Sequence, residues 1–201
     1  MGKTLIVAVT GGIGSGKTEF CKFLAEKGYP VINADKKAKE ILLKDPSVKK
    51  KIIEAFGEKA YPAKGLDTAY LADKVFSDAE GVASINAIVH PVVIKEINAE
   101  IKEYSKKNKF IFVEAALIYE AEMEEMFNYV VLVTAPEPLR LKRVLEKGKM
   151  SEEDIKRRIE SQIPEEDKKE WADFSFENSQ SLEDLKKKAE FLISVLNAVA
   201  V

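Results

Sequence analysis

The 201-residue chain is long enough for one domain, or for one core domain carrying an insertion, around a sizeable core. Its 32 lysines and arginines nearly balance its 34 aspartates and glutamates, which argues against general binding to nucleic acid or to a membrane surface. The single cysteine, Cys21, excludes an internal disulfide and a zinc cage, and we expect it to be a small buried side chain. Without an apolar run of transmembrane length or a signal-peptide pattern, we expect a cytoplasmic protein with no membrane or nucleic-acid partner.

A glycine-rich segment follows the first apolar run of the chain. Residues 5–9 predict a short buried strand, and they lead into Gly11-x-x-x-x-Gly16-Lys17-Thr18. Residues 19–28 then place apolar side chains at helical spacing and end on a glycine, which stops helices. A strand, a glycine-rich loop of this spacing and a helix together are typical of a phosphate-binding P-loop.

The residue types in this loop suit a polyphosphate. Glycine lets backbone N–H groups approach the phosphates where a Cβ would obstruct them, and the helix N-terminus adds unpaired donors. We predict that Lys17 bridges the β- and γ-phosphates and that the Thr18 hydroxyl coordinates Mg²⁺. The predicted nucleotide-binding residues are Gly12, Ile13, Gly14, Ser15, Gly16, Lys17 and Thr18. The sequence therefore predicts a site for a nucleoside triphosphate.

Four further segments have strand character. Residues 29–35 predict a second strand ending in an acid, 110–114 a third, 129–134 a fourth and 173–176 a weak fifth. Helical patterns lie between them, with Pro136 opening one helix and Ser151 and Ser181 capping two others. This alternation predicts an α/β fold in which a parallel sheet is sandwiched by helices, of the P-loop NTPase type.

The segment between the second and third strands is different. From residue 36 to residue 108 apolar side chains recur at helical spacing without a convincing strand. Breaks are expected at Pro46, Gly57, Pro62, Gly65 and Pro91. We predict a nucleotide-binding core formed by residues 1–35 and 109–201, a helical substrate-binding insertion formed by 36–108, and a helical lid at about 140–162.

Two carboxylates end predicted strands, where ligands collect in parallel sheets. A kinase needs a carboxylate to accept or orient the proton of the attacking hydroxyl, and Asp35 is the sharpest candidate. An N-cap of the following helix is an equally good interpretation of Asp35, and the two roles are compatible. Glu114 suits the Mg²⁺ ion or its water ligands, with an ordinary charged strand end as the alternative.

The predicted lid has an excess of cations, which fits closure over a triphosphate. They are Arg140, Lys142, Arg143, Lys147, Lys149, Lys156, Arg157 and Arg158. A solvated helix face is the alternative, and arginines are better candidates than lysines because the guanidinium fork matches phosphate oxygens. His90, the only histidine, is either a structural cap of the preceding helix or a substrate contact, and Trp171 is either a core residue or a base-stacking residue.

With these residues assembled, the chain resembles the dephospho-CoA kinase family nearly from end to end. Residues 10–17 resemble its P-loop, 31–35 its "VIDAD" strand, and 117–120 the end of its "PLLFE" segment. Residues 56–57, 71–76 and 88–91 resemble landmarks of its helical domain, and 158–162, 172–173 and 177–178 its C-terminal signatures. The shared order of these motifs is specific, although each one beyond the P-loop is weak.

The resemblance implies transfer of the ATP γ-phosphoryl group to the ribose 3′-hydroxyl of dephospho-CoA, with Mg²⁺. It implies Asp35, Lys17 and Arg140 as catalytic residues and Thr18 and Glu114 as metal ligands. The implied substrate contacts are Asp35, His90 and Glu120. We expect a monomer or a small homo-oligomer.

Some positions depart from the family pattern. Asn33 replaces the first acid of "DAD", Ala116 replaces a proline, and Lys147-Gly148 stands where the lid has an Arg-Asp pair. One alternative function is therefore another small-molecule P-loop kinase, of adenylate or shikimate kinase type. A regulatory GTPase is a weaker alternative, because the D-x-x-G match at residues 78–81 lies inside the helical insertion and no N-K-x-D motif occurs.

Overall fold

A computed structural model describes residues 3–75, 79–148 and 150–200. It divides into two compact units, one formed by Met1–Asn33 with Ile101–Val201 and the other by Ala34–Glu100. The sequence-based boundaries lay after residues 35 and 108, and the role of the second unit in substrate binding remains a prediction. Phe76, Asp78 and Lys149, which the sequence analysis used, lie outside the described residues.

The first unit is built on a parallel sheet, which confirms the predicted fold class. Its strands are β1 (Leu5–Thr10), β2 (Val31–Asn33), β3 (Phe110–Glu114), β4 (Tyr129–Thr134) and β5 (Phe174–Glu177). They lie in the order β2-β3-β1-β4-β5, and every pair is parallel. The register pairs Glu114 with Val9 and with Asn33, so that β1, β2 and β3 end at one edge of the sheet.

The described helices follow the predicted alternation. They are α1 (Lys17–Glu26), α2 (Ala34–Lys44), α3 (Pro46–Phe56), α4 (Thr68–Val75), α5 (Ala79–Tyr104), α6 (Glu137–Leu145), α7 (Glu152–Glu160), α8 (Glu165–Trp171) and α9 (Leu182–Val199). The helix α8 was not predicted. Among the helices of the described residues, none is both long enough and apolar enough to cross a bilayer.

Alternate residues of the strands face two different layers of the first unit. Val131 and Val133 of β4 belong to a fully buried cluster that α1 and α9 complete with Phe20, Leu24 and Leu192. Cys21 is buried in the same cluster, as expected. The helix α8 contacts β4, and the intervening residues of the strand, Val130 and Leu132, line cavities together with residues of α8. Helices therefore cover both faces of the sheet.

Short polar side chains cap the N-termini of several helices. The Ser151 hydroxyl accepts a hydrogen bond from Asp154 N, and the Ser181 hydroxyl accepts one from Asp184 N, which confirms both predicted caps. In the second unit, Asp45 caps α3 by accepting hydrogen bonds from two backbone N–H groups of its first turn. Each such cap satisfies donors that the helix itself cannot pair.

The predicted break at Pro91 is wrong, because α5 continues through it. Proline removes one hydrogen bond from a helix interior and costs about 3 kcal/mol or more. Val89, Val93 and Ile97 recur every four residues along α5 and are all buried, so the packing of this apolar stripe offsets the cost. His90 therefore lies within a continuous helix, and its interpretation as a cap of a preceding helix is wrong.

The second strand is shorter than predicted. It ends at Asn33, and α2 begins at Ala34 without an intervening loop. Asp35 consequently lies in the first turn of α2, neither at a strand end nor at the N-cap position before the helix. A carboxylate in this turn is favoured by the positive end of the helix dipole.

Candidate nucleotide-binding site

The glycine-rich loop joins the carboxyl end of β1 to the N-terminus of α1. Gly16 is the N-cap of α1, with a φ of 100°, and Gly14 has a φ of 78°. These are left-handed backbone conformations that glycine adopts without the steric cost of a Cβ. The loop thus turns sharply and brings its backbone up to the N-terminus of the helix, the geometry that binds phosphate.

The end of β3 provides a carboxylate beside this helix. Thr18 Oγ1 donates a hydrogen bond of 2.5 Å to Glu114 Oε1. Asn33 Nδ2, at the end of β2, donates one of 2.7 Å to Glu114 Oε2. The structure therefore brings together the two predicted metal ligands, Thr18 and Glu114, and adds Asn33, whose contact with Glu114 the sequence analysis missed.

The surroundings of Glu114 suit a divalent cation. The residue is 3% exposed, and no lysine or arginine of the described residues forms an ion pair with it. A buried carboxylate without a countercharge is costly, and hard oxygen ligands such as this carboxylate and the Thr18 hydroxyl are those that Mg²⁺ prefers. The described residues contain no group of three His, Cys, Asp or Glu residues that could hold a metal alone. Mg²⁺ is commonly bound by one or two carboxylates together with substrate phosphates.

Two arginines of α6 point inward to the loop, whereas Lys156 and Arg157 of the predicted lid do not. Arg140 is 6% exposed, and its Nε donates to Ile13 O at 3.0 Å. Arg143 Nη2 donates to Asn178 O at 3.0 Å. Lys156 and Arg157 instead form exposed ion pairs with acids of their own helix, α7. The solvated-face interpretation therefore describes these two cations, and the arginines of α6 belong to the wall of the site.

Arg140 and Glu120 each form an ion pair with α8 in which the cation is buried and the carboxylate is partly buried. Arg140 Nη1 lies 3.1 Å from Glu165 Oε2, and Lys168 Nζ lies 2.5 Å from Glu120 Oε1. Burial raises the pKa of Glu165, and the positive charge of Arg140 opposes that rise. Glu120 Oε1 also accepts a hydrogen bond from Ile163 N. One oxygen of the predicted substrate contact Glu120 is thus engaged in holding α8.

The remaining predicted residues lie apart from the loop or in the other unit. Asp35 is exposed and His90 is half-buried, both in the second unit, and burial lowers the pKa of His90. Trp171 is 53% exposed and meets Tyr119 edge to face, with ring centroids 5.4 Å apart. Tyr119 and Trp171 line one cavity of about 520 Å³, while Gly12 and Arg140 line a separate one of about 210 Å³.

Sequence reasoning did not assign a role to Asn178. It follows β5, it is 4% exposed, and its Nδ2 donates to Ser15 O at 2.8 Å. The signal available was its position at the carboxyl end of a parallel strand, the edge where ligand sites form. Because β5 was only weakly predicted, its end did not point to Asn178 as a site residue.

Comparisons with known proteins bear on the family and the fold of the chain. A sequence profile described as dephospho-CoA kinase matches residues 5–184. A dephospho-CoA kinase of Salinibacter ruber is 38% identical over 185 residues, covering 91% of this chain and 93% of the relative. A crystal structure from Thermus thermophilus has 31% sequence identity and a TM-score of 0.82, covering 96% of this chain and 98% of that one. A dephospho-CoA kinase structure from Campylobacter jejuni has 31% identity and a TM-score of 0.70, covering 94% and 95%. The chain belongs to the dephospho-CoA kinase family.

Proposed function

We propose that this protein transfers the γ-phosphoryl group of ATP to the 3′-hydroxyl of the ribose of dephospho-CoA, giving CoA and ADP. The observation that carries the proposal is the pairing of Thr18 with Glu114 beside a complete P-loop, in a chain that matches the dephospho-CoA kinase profile over residues 5–184. The hydroxyl oxygen forms a new bond to the γ-phosphorus, the bond to the β,γ-bridging oxygen breaks, and the hydroxyl proton passes to a base.

The nucleotide half of the reaction belongs to the first unit. Backbone N–H groups of residues 12–17 and the Lys17 ammonium bind the phosphates. Thr18 and Glu114 would hold Mg²⁺, which, when bound, neutralises phosphate charge and orients the β- and γ-phosphates. The hydrogen bonds from Thr18 and Asn33 fix both oxygens of Glu114, so that the carboxylate is oriented before nucleotide binds.

The acceptor half belongs to the second unit. Asp35 accepts the proton of the attacking hydroxyl, and His90 contacts the acceptor. On the nucleotide side, Arg140 of the first unit steadies the triphosphate from the side of α6. These three roles rest on the resemblance of their segments to the family motifs. We also infer a cytoplasmic enzyme that is a monomer or a small homo-oligomer.

The alternative is a P-loop kinase with another small-molecule acceptor. The loop, Glu114 and the arginines of α6 would serve such an enzyme equally well, because they act on the nucleotide. The departures at Ala116 and Lys147-Gly148 are the sequence features that leave this alternative open. The two functions differ only in the molecule that accepts the phosphoryl group.

Release of ADP from Mg·ATP tests the proposal. It is measured without an acceptor and then with dephospho-CoA, adenosine, AMP or shikimate. We expect strong stimulation by dephospho-CoA alone. Stimulation by another acceptor would keep the kinase and overturn the substrate, and the absence of stimulation by every acceptor, with ATP still bound, would overturn the proposed reaction.

A further inference from the structure

The side of the P-loop that faces α6 and β5 is hydrogen-bonded by two buried side chains. Arg140 Nε donates to the carbonyl oxygen of Ile13 at 3.0 Å, and Asn178 Nδ2 donates to that of Ser15 at 2.8 Å. Both side chains come from residues more than 120 positions away in the sequence, since the separations are 127 and 163. The carbonyls of Ile13 and Ser15 are therefore paired by tertiary contacts, whereas that of Gly12 is paired within the loop, by Ser15 N at 3.2 Å.

These two hydrogen bonds fix the direction of two loop amides. In a trans peptide unit the C=O of one residue and the N–H of the next point in opposite directions. With the carbonyls of Ile13 and Ser15 held toward α6 and β5, the N–H groups of Gly14 and Gly16 are directed to the opposite side. That is the side on which a P-loop binds its phosphates.

The donors are themselves held in place. Asn178 N donates to Thr134 O at 2.7 Å, which attaches this residue to the end of β4. Arg143 Nη2 donates to Asn178 O at 3.0 Å, and Arg143 Nη1 makes a longer contact of 3.5 Å with Gly14 O. Glu165 pairs with the guanidinium of Arg140 at 3.1 Å. We call Arg140, Arg143 and Asn178 the loop brace.

The loop and its brace are in close contact. A Cβ added to Gly16 would lie 2.1 Å from Asn178 Nδ2, and one added to Gly12 would lie 2.7 Å from Arg140 Nη2. Such distances are far below van der Waals contact, so a side chain at either position would displace the brace. These two glycines are thus required by the brace as well as by the phosphates.

We propose that Asn178 and Arg140 are positioning residues that hold the Gly14 and Gly16 amides in the phosphate-binding orientation. The proposal rests on the nucleotide-binding half of the proposed function and does not depend on the acceptor. For Arg140 this role, exerted through Nε on the carbonyl of Ile13, is additional to the proposed contact with the triphosphate. A contact with the γ-phosphate alone would affect ATP and not ADP. The loop amides bind phosphates that ADP and ATP share, so the brace acts on both nucleotides.

The test compares Asn178→Ala with Asn197→Ala. Asn197 is exposed on α9, and its Nδ2 likewise donates to a backbone carbonyl, that of Ile193, so the control loses the same kind of bond away from the loop. Affinities for ADP and for ATP are measured without acceptor by displacement of a fluorescent nucleotide, and thermal unfolding is recorded for each variant. We expect Asn178→Ala to weaken both nucleotides by the same factor, about tenfold, as the loss of one buried hydrogen bond implies. Asn197→Ala should leave both affinities unchanged.

Two results would overturn the proposal. An unchanged ADP affinity with a lowered melting temperature would make Asn178 a structural residue only. A loss confined to ATP would place the residue at the γ-phosphate. If Asn178→Ala does not fold, Asn178→Ser provides the same comparison, because serine stays polar but lacks the amide Nδ2 that donates to Ser15 O. Failure of dephospho-CoA as acceptor leaves these binding measurements unaffected.

Discussion

The two units of the molecule hold their polar side chains in different ways. In the sheet unit the contacts join distant parts of the chain, such as Thr18 with Glu114 across 96 residues and Asn178 with Ser15 across 163. In the helical unit most described contacts are local, such as the Asp45 cap across 2 and 3 residues and the Tyr70–Phe56 bond across 14. Lys37, which pairs with Glu100 at 2.6 Å across 63 residues, is an exception.

Because of this difference, nucleotide binding and acceptor chemistry are expected to depend on different parts of the molecule. Glu114, the carboxylate proposed to bind Mg²⁺, and the loop amides are brought together only after β1, β2, β3 and β5 have assembled, because their partners come from different strands. Changes among them should therefore alter nucleotide or metal affinity together with stability. Changes in the helical unit should alter turnover or local stability and leave the nucleotide site intact.

Asp35→Asn is expected to have the largest effect. It removes the proposed proton acceptor while keeping the size of the side chain, and a general base is typically worth about 10² to 10⁴ in rate. We expect kcat to fall by that factor, with ADP affinity unchanged. The measurement is ADP release in the presence of dephospho-CoA, together with nucleotide binding.

Asp45→Asn is the matched control in the same unit. Asparagine caps a helix as well as aspartate does, so the start of α3 should be kept and kcat should be unaffected. If Asp35→Asn retains the kcat of the unaltered protein, the helical unit does not supply the base.

Asn33→Asp should weaken the sheet unit and make its stability depend on pH. The new carboxylate would face Glu114 Oε2 where the amide now donates at 2.7 Å, and like charges at this distance raise the pKa of one group. Because that folded pKa exceeds the unfolded value, stability is present at low pH and is lost as pH rises through the folded pKa. We expect a loss of roughly 1–3 kcal/mol at neutral pH.

Mg²⁺ distinguishes this electrostatic effect from a packing defect. A divalent cation neutralises both carboxylates, so thermal unfolding should show a larger stabilisation by Mg²⁺ in Asn33→Asp than in the unaltered protein. The same loss at pH 5 and pH 8, without additional rescue by Mg²⁺, would contradict the role assigned to Asn33.

His90→Gln tests the helical unit with a smaller effect. Burial lowers the pKa of His90, so the unfolded chain binds more protons near its ordinary value of 6.5. The contribution to stability is therefore present above that value and is lost as pH falls through the lower folded pKa. His90 is the only histidine, so the variant should flatten the fall in unfolding free energy between pH 7.5 and pH 5.5. Urea titrations at the two pH values measure the unfolding free energy of each protein. The same pH dependence in the variant as in the unaltered protein would contradict a lowered pKa of His90.

Tyr119→Phe should have the smallest effect. Burial and the nearby Asp173 and Glu124 carboxylates raise the pKa of Tyr119 to about 12, and its buried hydroxyl has no hydrogen-bond partner among the described residues. Removing that hydroxyl relieves a desolvation cost and keeps the ring contact with Trp171. We expect a gain of up to about 1 kcal/mol in the free energy of unfolding. Denaturant titrations monitored by the fluorescence of Trp171 measure this gain. A loss of similar size would show that the hydroxyl has a partner after all.

Local patterns predicted much of the fold. The third and fourth strands agree with the structure residue for residue, at 110–114 and 129–134, because continuous apolar runs of this length suit buried parallel strands. The caps at Ser151 and Ser181 were also predicted, since capping depends on residues within one turn. The error at Pro91 arose where a local rule was overridden by the buried stripe of α5.

Spacing along the chain was enough to predict the P-loop, the parallel sheet and the motifs of the family, because local sequence encodes each of these features. The contacts that Asn33 and Thr18 make with Glu114, and those that Arg140 and Asn178 make with the loop carbonyls, are visible only in the folded chain. They join residues that are far apart along the chain. Hydrogen bonds between residues 81 to 163 positions apart depend on strand order and register, which no local pattern specifies.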